Sequence, residues 1–322
     1  MNLDETYTFQ EAEKLVLDFE AILKKHGIEI KQDSELERLC LNIMETLEKH
    51  LNPNLRDPLT DIRKIFREFI GLKDLMSKII AAENDANFKD LIPHLEKLND
   101  VNPLQNVKTP SIDQDNNKVF ELLIATLCMK VGGSGIALDN PNRSKGDNPD
   151  VIVNYRGKKW GLGCKALHSD HPKTLFNNIE KAVSQIENSD SDKGIPVISI
   201  KNITKHAQFW PILNEEDFRN GAEPEISAFL SRNIPIAMMQ LQVDEIQQKL
   251  VAEIGLDNIN EMFKGKRSEP GCLLYFPVVT SVVMDGKPVT TRLNSFFLLY
   301  FENVSSDCID LCNALNHHLQ VK

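Results

Sequence analysis

The sequence predicts a mixed α/β protein in which an all-α helical domain precedes an α/β domain with a mixed sheet. Three observations predict it. Apolar residues recur at helical spacing through the first hundred positions. Short apolar runs bounded by turn residues dominate from about residue 150 onward. Between these regions lies NDVNPLQNVKTPSIDQDN, rich in Asn, Asp and Pro and without apolar periodicity. The expected division is therefore 1–105, helical, and 106–322, α/β, with a helical insertion at 212–264.

In the first half, Leu15, Val16, Phe19, Ile22 and Leu23 mark one helix. Ser34 and Glu37 have capping-box spacing ahead of Leu36, Leu39, Ile43, Met44 and Leu47. A third amphipathic segment follows Thr60 and runs toward Ile80, and a fourth covers Asn87 to Leu98. No histidine or carboxylate here falls at a metal-ligand spacing, so this half is expected to supply packing and a partner surface, without chemistry. In the second half the order is a helix over 117–130, a glycine-rich turn with a short strand (VGGSGIALDN), and the strands PDVIV and WGLGCKAL. A helix from Pro172 to Glu187 and a buried strand, GIPVISI, follow. Next come helices over 215–232 and 243–263, then a hairpin turning at Asp285-Gly286, and a last helix containing Asp310 to His318.

The 322 residues carry a net charge of −10, which argues against indiscriminate coating of nucleic acid. Residues 1–100 hold 21 acidic against 14 basic side chains, whereas residues 156–181 hold six basic against two acidic. That local basic stripe, with Lys158, Lys159 and Lys173, is the candidate phosphate-backbone contact; a solvated charged hairpin explains it equally well. The six scattered cysteines, mostly inside apolar runs, read as buried free thiols of a cytoplasmic protein. Neither an export signal nor a membrane-length apolar run is expected.

The stretch GDNPDVIVNYRGKKWGLGCKAL is where chemistry concentrates. Strand alternation puts Trp160, Leu162, Cys164 and Ala166 on one face, the core face, and Gly161, Gly163 and Lys165 on the other. Lys165 is thus expected over an open floor of glycines, with Asp150 brought alongside by the hairpin. Carboxylates that hold a divalent metal, next to a lysine that stabilises negative charge, suit phosphodiester hydrolysis. Taken singly, Glu121 also reads as a solvent-facing helix residue, Asp150 as a turn residue, Lys165 as an edge lysine that snorkels, and Gln185 as a surface residue. His168 and His171, in ALHSDH, read as a polar loop.

With Glu121 on the helix NKVFELLIATL, Pro149-Asp150 opening PDVIV, Lys165 ending GCK and Gln185 on the helix that follows, residues 115–203 resemble the PD-(D/E)XK nuclease superfamily, the restriction-endonuclease-like fold. The resemblance implies an αβββαβ core, DNA cleavage in restriction or phage defence, and Mg²⁺ or Mn²⁺ held by Asp150 and Glu121. It implies Lys165 as catalytic cation and Gln185 as a supporting residue. The chain departs from the pattern at Gly163, where the family carries an acid; Glu180, Glu187 and Asp147 are alternative sources of a carboxylate. The departure leaves open a catalytically inactive scaffold that binds nucleic acid or protein, or an acidic protein that mimics DNA. Expected partners are nucleic acid (DNA ahead of RNA), a protein docking on the N-terminal helices, and a second copy of the chain in a homo-oligomer.

Overall fold

The computed structural model describes residues 9–51, 61–110, 116–132, 135–142 and 148–321. Among them are ten α-helices and a six-stranded mixed sheet. The chain begins with α1 (Phe9–Lys25), α2 (Glu35–Leu51), α3 (Ile62–Ala82) and α4 (Ile92–Lys97), a short helix entered through a 3₁₀ turn at Phe88–Leu91. Then come α5 (Asn116–Gly132), β1 (Ile136–Leu138), β2 (Val151–Tyr155), β3 (Lys158–Ala166), α6 (Pro172–Glu187) and β4 (Lys193–Ser199). The remainder is α7 (Glu215–Arg219), α8 (Asn233–Ile254), α9 (Leu256–Phe263), β5 (Gly271–Met284), β6 (Lys287–Tyr300) and α10 (Ser306–Gln320). No helix among the described residues is long and apolar enough to cross a membrane.

The strands lie in sequence order, β1 to β6. β1, β2 and β3 are antiparallel to one another, and β4 and β5 each join parallel to the preceding strand. Both hairpins turn on residue pairs with positive φ, Arg156-Gly157 (52° and 75°) and Asp285-Gly286 (49° and 75°), the backbone that matches strand twist in a two-residue turn. The β3–β4 pair is parallel because α6 carries the chain back across the sheet.

Two apolar layers sandwich the sheet. One contains α1–α5 and α10 packed on Trp160, Leu162, Cys164, Val197 and Leu273; the other contains α6, α8 and α9 packed on Ile198, Cys272, Leu274 and Phe276. β5 alternates between the layers, which explains why its sequence is apolar at consecutive positions. The N-terminal helices share the first of these cores with the sheet. The expected boundary at 105 falls inside it, with Val101 and Pro103 to Asn106 all buried. The fully buried Lys201, just past β4, donates to Leu104 O at 2.8 Å and to Asn116 Oδ1, and so fastens this segment to the α/β half. A second buried tie joins Asp74 of α3 to Lys78 at 2.7 Å, to Asn294 Nδ2 at 3.1 Å and to Arg292 of β6.

Several local expectations change. Ser34 caps α2 by accepting from Glu37 N at 3.1 Å, but Glu37 reaches back to Asp33 N at 2.7 Å, one residue earlier than a capping box requires. Thr60 lies outside the described residues; Asp61 caps α3. The helix expected over 215–232 is only α7, because Gly221, with φ 94°, and Pro224 end it. α8 starts ten residues before the expected 243, with Pro235 in its first turn, where a missing N–H costs nothing. All six cysteines are free and buried.

The open glycine floor is corrected. A Cβ on Gly163 would lie 2.7 Å from Ala182 Cβ and 2.9 Å from Ala182 Cα on α6, and one on Gly161 would lie 2.8 Å from Ser191 Oγ. That face of β3 is covered by α6 and the turn after it, and the glycines are what let the helix approach so closely. Gly163→Ala is therefore expected to lower stability by about 1–3 kcal/mol. In a double-mutant cycle with Ala182→Gly, measured by urea unfolding, the paired variant should recover part of that loss; strict additivity would refute the contact.

Candidate active site

α5 is apolar on nearly every side, the pattern of a helix buried all round, and it carries Glu121 inward at 2 % exposure. The solvent-facing reading of this glutamate falls. Its Oε1 and Oε2 accept from Lys118 Nζ at 2.9 and 3.0 Å, and Oε2 also meets His94 Nε2 at 3.1 Å. Asp150 sits at the mouth of β2, 3 % exposed. The β2–β3 ladder ends at Val151 and Leu162, and Asp150 Oδ2 takes up the Cys164 N–H beyond that end at 2.6 Å. The same oxygen accepts from Lys165 Nζ at 3.0 Å, while that ammonium also donates to Cys164 O at 2.9 Å. Glu121 is in turn a hydrogen-bonding neighbour of Asp150 and feels the Lys165 charge.

Glu121, Asp150 and Lys165 are thus brought together by α5, β2 and β3. Burial, reinforced by Glu121, pushes the Asp150 carboxyl up to about 6 against the pull of Lys165 and Lys118. Burial also raises Glu121, with Lys118, Lys165 and Asp150 opposing. Burial works against the Lys118 ammonium, but Glu121 and Asp150 outweigh it and hold its pKa above the ordinary lysine value. Burial, with Lys118 adding to it, brings His94 down to about 4. At neutral pH its imidazole is therefore uncharged and donates to Glu121 through Nε2–H.

Three contributors escaped the sequence reading. His94 is completely buried and comes from α4, so the N-terminal half does enter the site, contrary to the expectation that it holds no chemistry. Lys118 lies one turn before Glu121, a spacing that could have signalled the pair. Asp139, just after β1, is half-buried with an Oδ2 that has no hydrogen-bond partner, and its charge acts on both His94 and Lys118. Its link to the site needs the β1–β2 pairing, which no local pattern announces.

Other candidates lie elsewhere or are engaged. Gln185 is buried on α6 at 6 % exposure, its Oε1 without a partner, and it makes no hydrogen bond to Glu121, Asp150 or Lys165. Lys158 pairs with Asp307 at 2.7 Å and Lys159 with Asp190 at 2.7 Å, so much of the basic stripe is neutralised within the protein; Lys173 is exposed. Glu187 accepts from Arg267 N and Ser268 N, Glu180 faces solvent, and Asp147 lies outside the described residues. Cys164 is 1 % exposed, and burial, reinforced by Asp150 and Glu121, raises its thiol well above the usual range, so it is inert. His168 bonds Asn202 and His171 caps α6.

The donor chemistry fits a hard divalent cation. Glu121 and Asp150 offer carboxylate oxygens, and Asp139, whose charge reaches His94 and Lys118, has a buried Oδ2 without a partner. Among the described residues no three His, Cys, Asp or Glu side chains stand together at ligand spacing, and Lys118 and Lys165 already bond the two carboxylates.

Fold and site define a mixed α/β protein with a buried carboxylate–lysine cluster where two strands part. No protein-family model matches the chain, and no curated protein or solved structure matches it.

Removing one ammonium isolates a buried charge. Lys118→Met is expected to destabilise the protein by about 3 kcal/mol. Adding Glu121→Gln should recover a substantial share of that in guanidinium unfolding; no recovery would show that Lys118 acts through packing instead.

Proposed function

We propose that the chain is a nuclease-fold protein that cleaves DNA phosphodiester bonds with Mg²⁺ or Mn²⁺, within the PD-(D/E)XK superfamily and its restriction-endonuclease-like fold. The observation that carries this reading is the meeting of Glu121, Asp150 and Lys165 from three separate elements, with Lys165 Nζ 3.0 Å from Asp150 Oδ2. The order α5-β1-β2-β3-α6-β4, antiparallel through β3 and parallel after α6, supports the same assignment.

In this reading Glu121 and Asp150 hold the metal. The bound ion supplies Lewis-acid polarisation of the phosphate and a more acidic water. Lys165 contributes a fixed positive charge next to Asp150, placed to stabilise negative charge on a phosphate oxygen as it develops. The Cys164 N–H orients the Asp150 carboxylate, and His94 orients Glu121. Both contacts fix rotamers ahead of binding, which limits the reorganisation that chemistry requires. Restriction or phage defence is the setting that the resemblance favours.

One observation favours a second reading, an inactive scaffold that binds nucleic acid or protein. Position 163 faces Ala182 on α6, so an acid there would enter the helix rather than the carboxylate cluster, and both carboxylates present are buried.

The test is incubation of plasmid, linear and single-stranded DNA with Mg²⁺ or Mn²⁺, comparing wild type, Asp150→Ala and Lys165→Ala. Cleavage by wild type should drop at least a hundredfold in either variant. In parallel, titration calorimetry should show Mn²⁺ binding that Asp150→Ala abolishes. Equal cutting by all three proteins, or none by any, rules the nuclease out; a DNA mobility shift without cutting selects the scaffold.

A further inference from the structure

A cleft of about 780 Å³ lies between α2, α3, the segment around Asn106 and the turn that follows β4. Its size is that of a small-molecule site. It opens just past the carboxyl end of β4, within the parallel part of the sheet, where ligand crevices form in α/β proteins.

The lining is cationic on an acidic protein. Lys64, Arg67, Lys108 and Lys205 line the cleft, and none of them forms an ion pair with a described residue. The two carboxylates present, Glu35 and Glu68, are taken by Arg38 at 2.6 and 3.2 Å. Arg38 offsets only one of these two charges, so the five cations of the lining exceed its carboxylates by three. Burial, with the neighbouring Arg63 adding to it, lowers the Arg67 pKa against the pull of Asp61. A concave wall of net positive charge focuses the field on a mobile anion.

Three lining residues also carry a buried unsatisfied polar atom, one of them Asn106 Oδ1, which lies against Gly71. Arg67 Nε has no acceptor, although Arg67 Nη2 donates to His206 O at 3.2 Å. His206, 8 % exposed, donates from Nε2 to Lys201 O at 2.9 Å and leaves Nδ1 without a partner. Because Nε2 carries the proton, Nδ1 is an acceptor. Buried groups of this kind normally have partners. The cleft thus presents donors that suit an anion beside an acceptor that suits an N–H or O–H. A nucleotide satisfies both, with phosphates on the cations and a sugar hydroxyl or base N–H on His206.

We propose that this cleft binds a nucleoside di- or triphosphate. The site is separate in its residues from the carboxylate cluster, and the proposal does not rest on nuclease activity.

The experiment is fluorescence anisotropy of a fluorophore-labelled nucleoside triphosphate with the full chain in EDTA, which removes metal binding as a cause. Lys108→Gln/Lys205→Gln changes two exposed side chains and should keep the circular-dichroism spectrum while weakening binding roughly tenfold, as two screened surface charges allow. His206→Gln should weaken the nucleotide but not inorganic pyrophosphate used as competitor. Asp150→Ala should bind like wild type. No nucleotide binding, binding unchanged in the double variant, or displacement by a short DNA strand more effective than by unlabelled nucleotide would each overturn the proposal.

Discussion

Two carboxylates buried side by side are the constraint around which this molecule is arranged. Taking even one such group out of water costs several kcal/mol, and a second next to it adds repulsion. The protein offsets this with two ammonium groups, an imidazole and a backbone N–H, drawn from α4, α5 and β3. None of these elements can shift without stranding a charge. The position of α4 on α5, the early end of β2 and the curl of Lys165 back toward Asp150 all follow from that requirement.

The glycine pair in β3 serves a related purpose on the opposite face. With no side chain at 161 or 163, α6 lies directly against the strand, and the crossover to β4 stays short. One alternation of residues thus divides the labour. Trp160, Leu162 and Cys164 fill the first core, the glycines admit a helix, and Lys165, at the end of the strand, escapes the helix to reach the carboxylate.

Much of this was legible in the sequence, for reasons that can be named. The helical spacing of α1, α2, α3 and α6, the Asp-Gly turn and the apolar run of β5 are local and match the structure, whereas the helix read over 215–232 ends early at Gly221 and Pro224. Glu121, Asp150 and Lys165 were recognisable because their spacing is set by one helix, one hairpin and one strand. What escaped notice depends on long-range pairing. His94 reaches Glu121 only because α4 docks on α5, and Asp139 reaches the cluster only through the register of β1 on β2. The glycine floor was misjudged because alternation assigns a residue to a face without saying what covers that face. Gln185 was placed on the right helix, yet its neighbours there are decided by how closely α6 approaches β3.

The shared core has an architectural consequence. Helices that bury Phe19, Leu39 and Ile79 against the same cluster as Trp160 and Leu273 are not an appendage that could be traded between proteins. A chain starting at α5 would leave the inward side of that helix wet and Glu121 without His94. Shuffling by whole modules is closed to such a protein, and change must come residue by residue on both sides of the seam together.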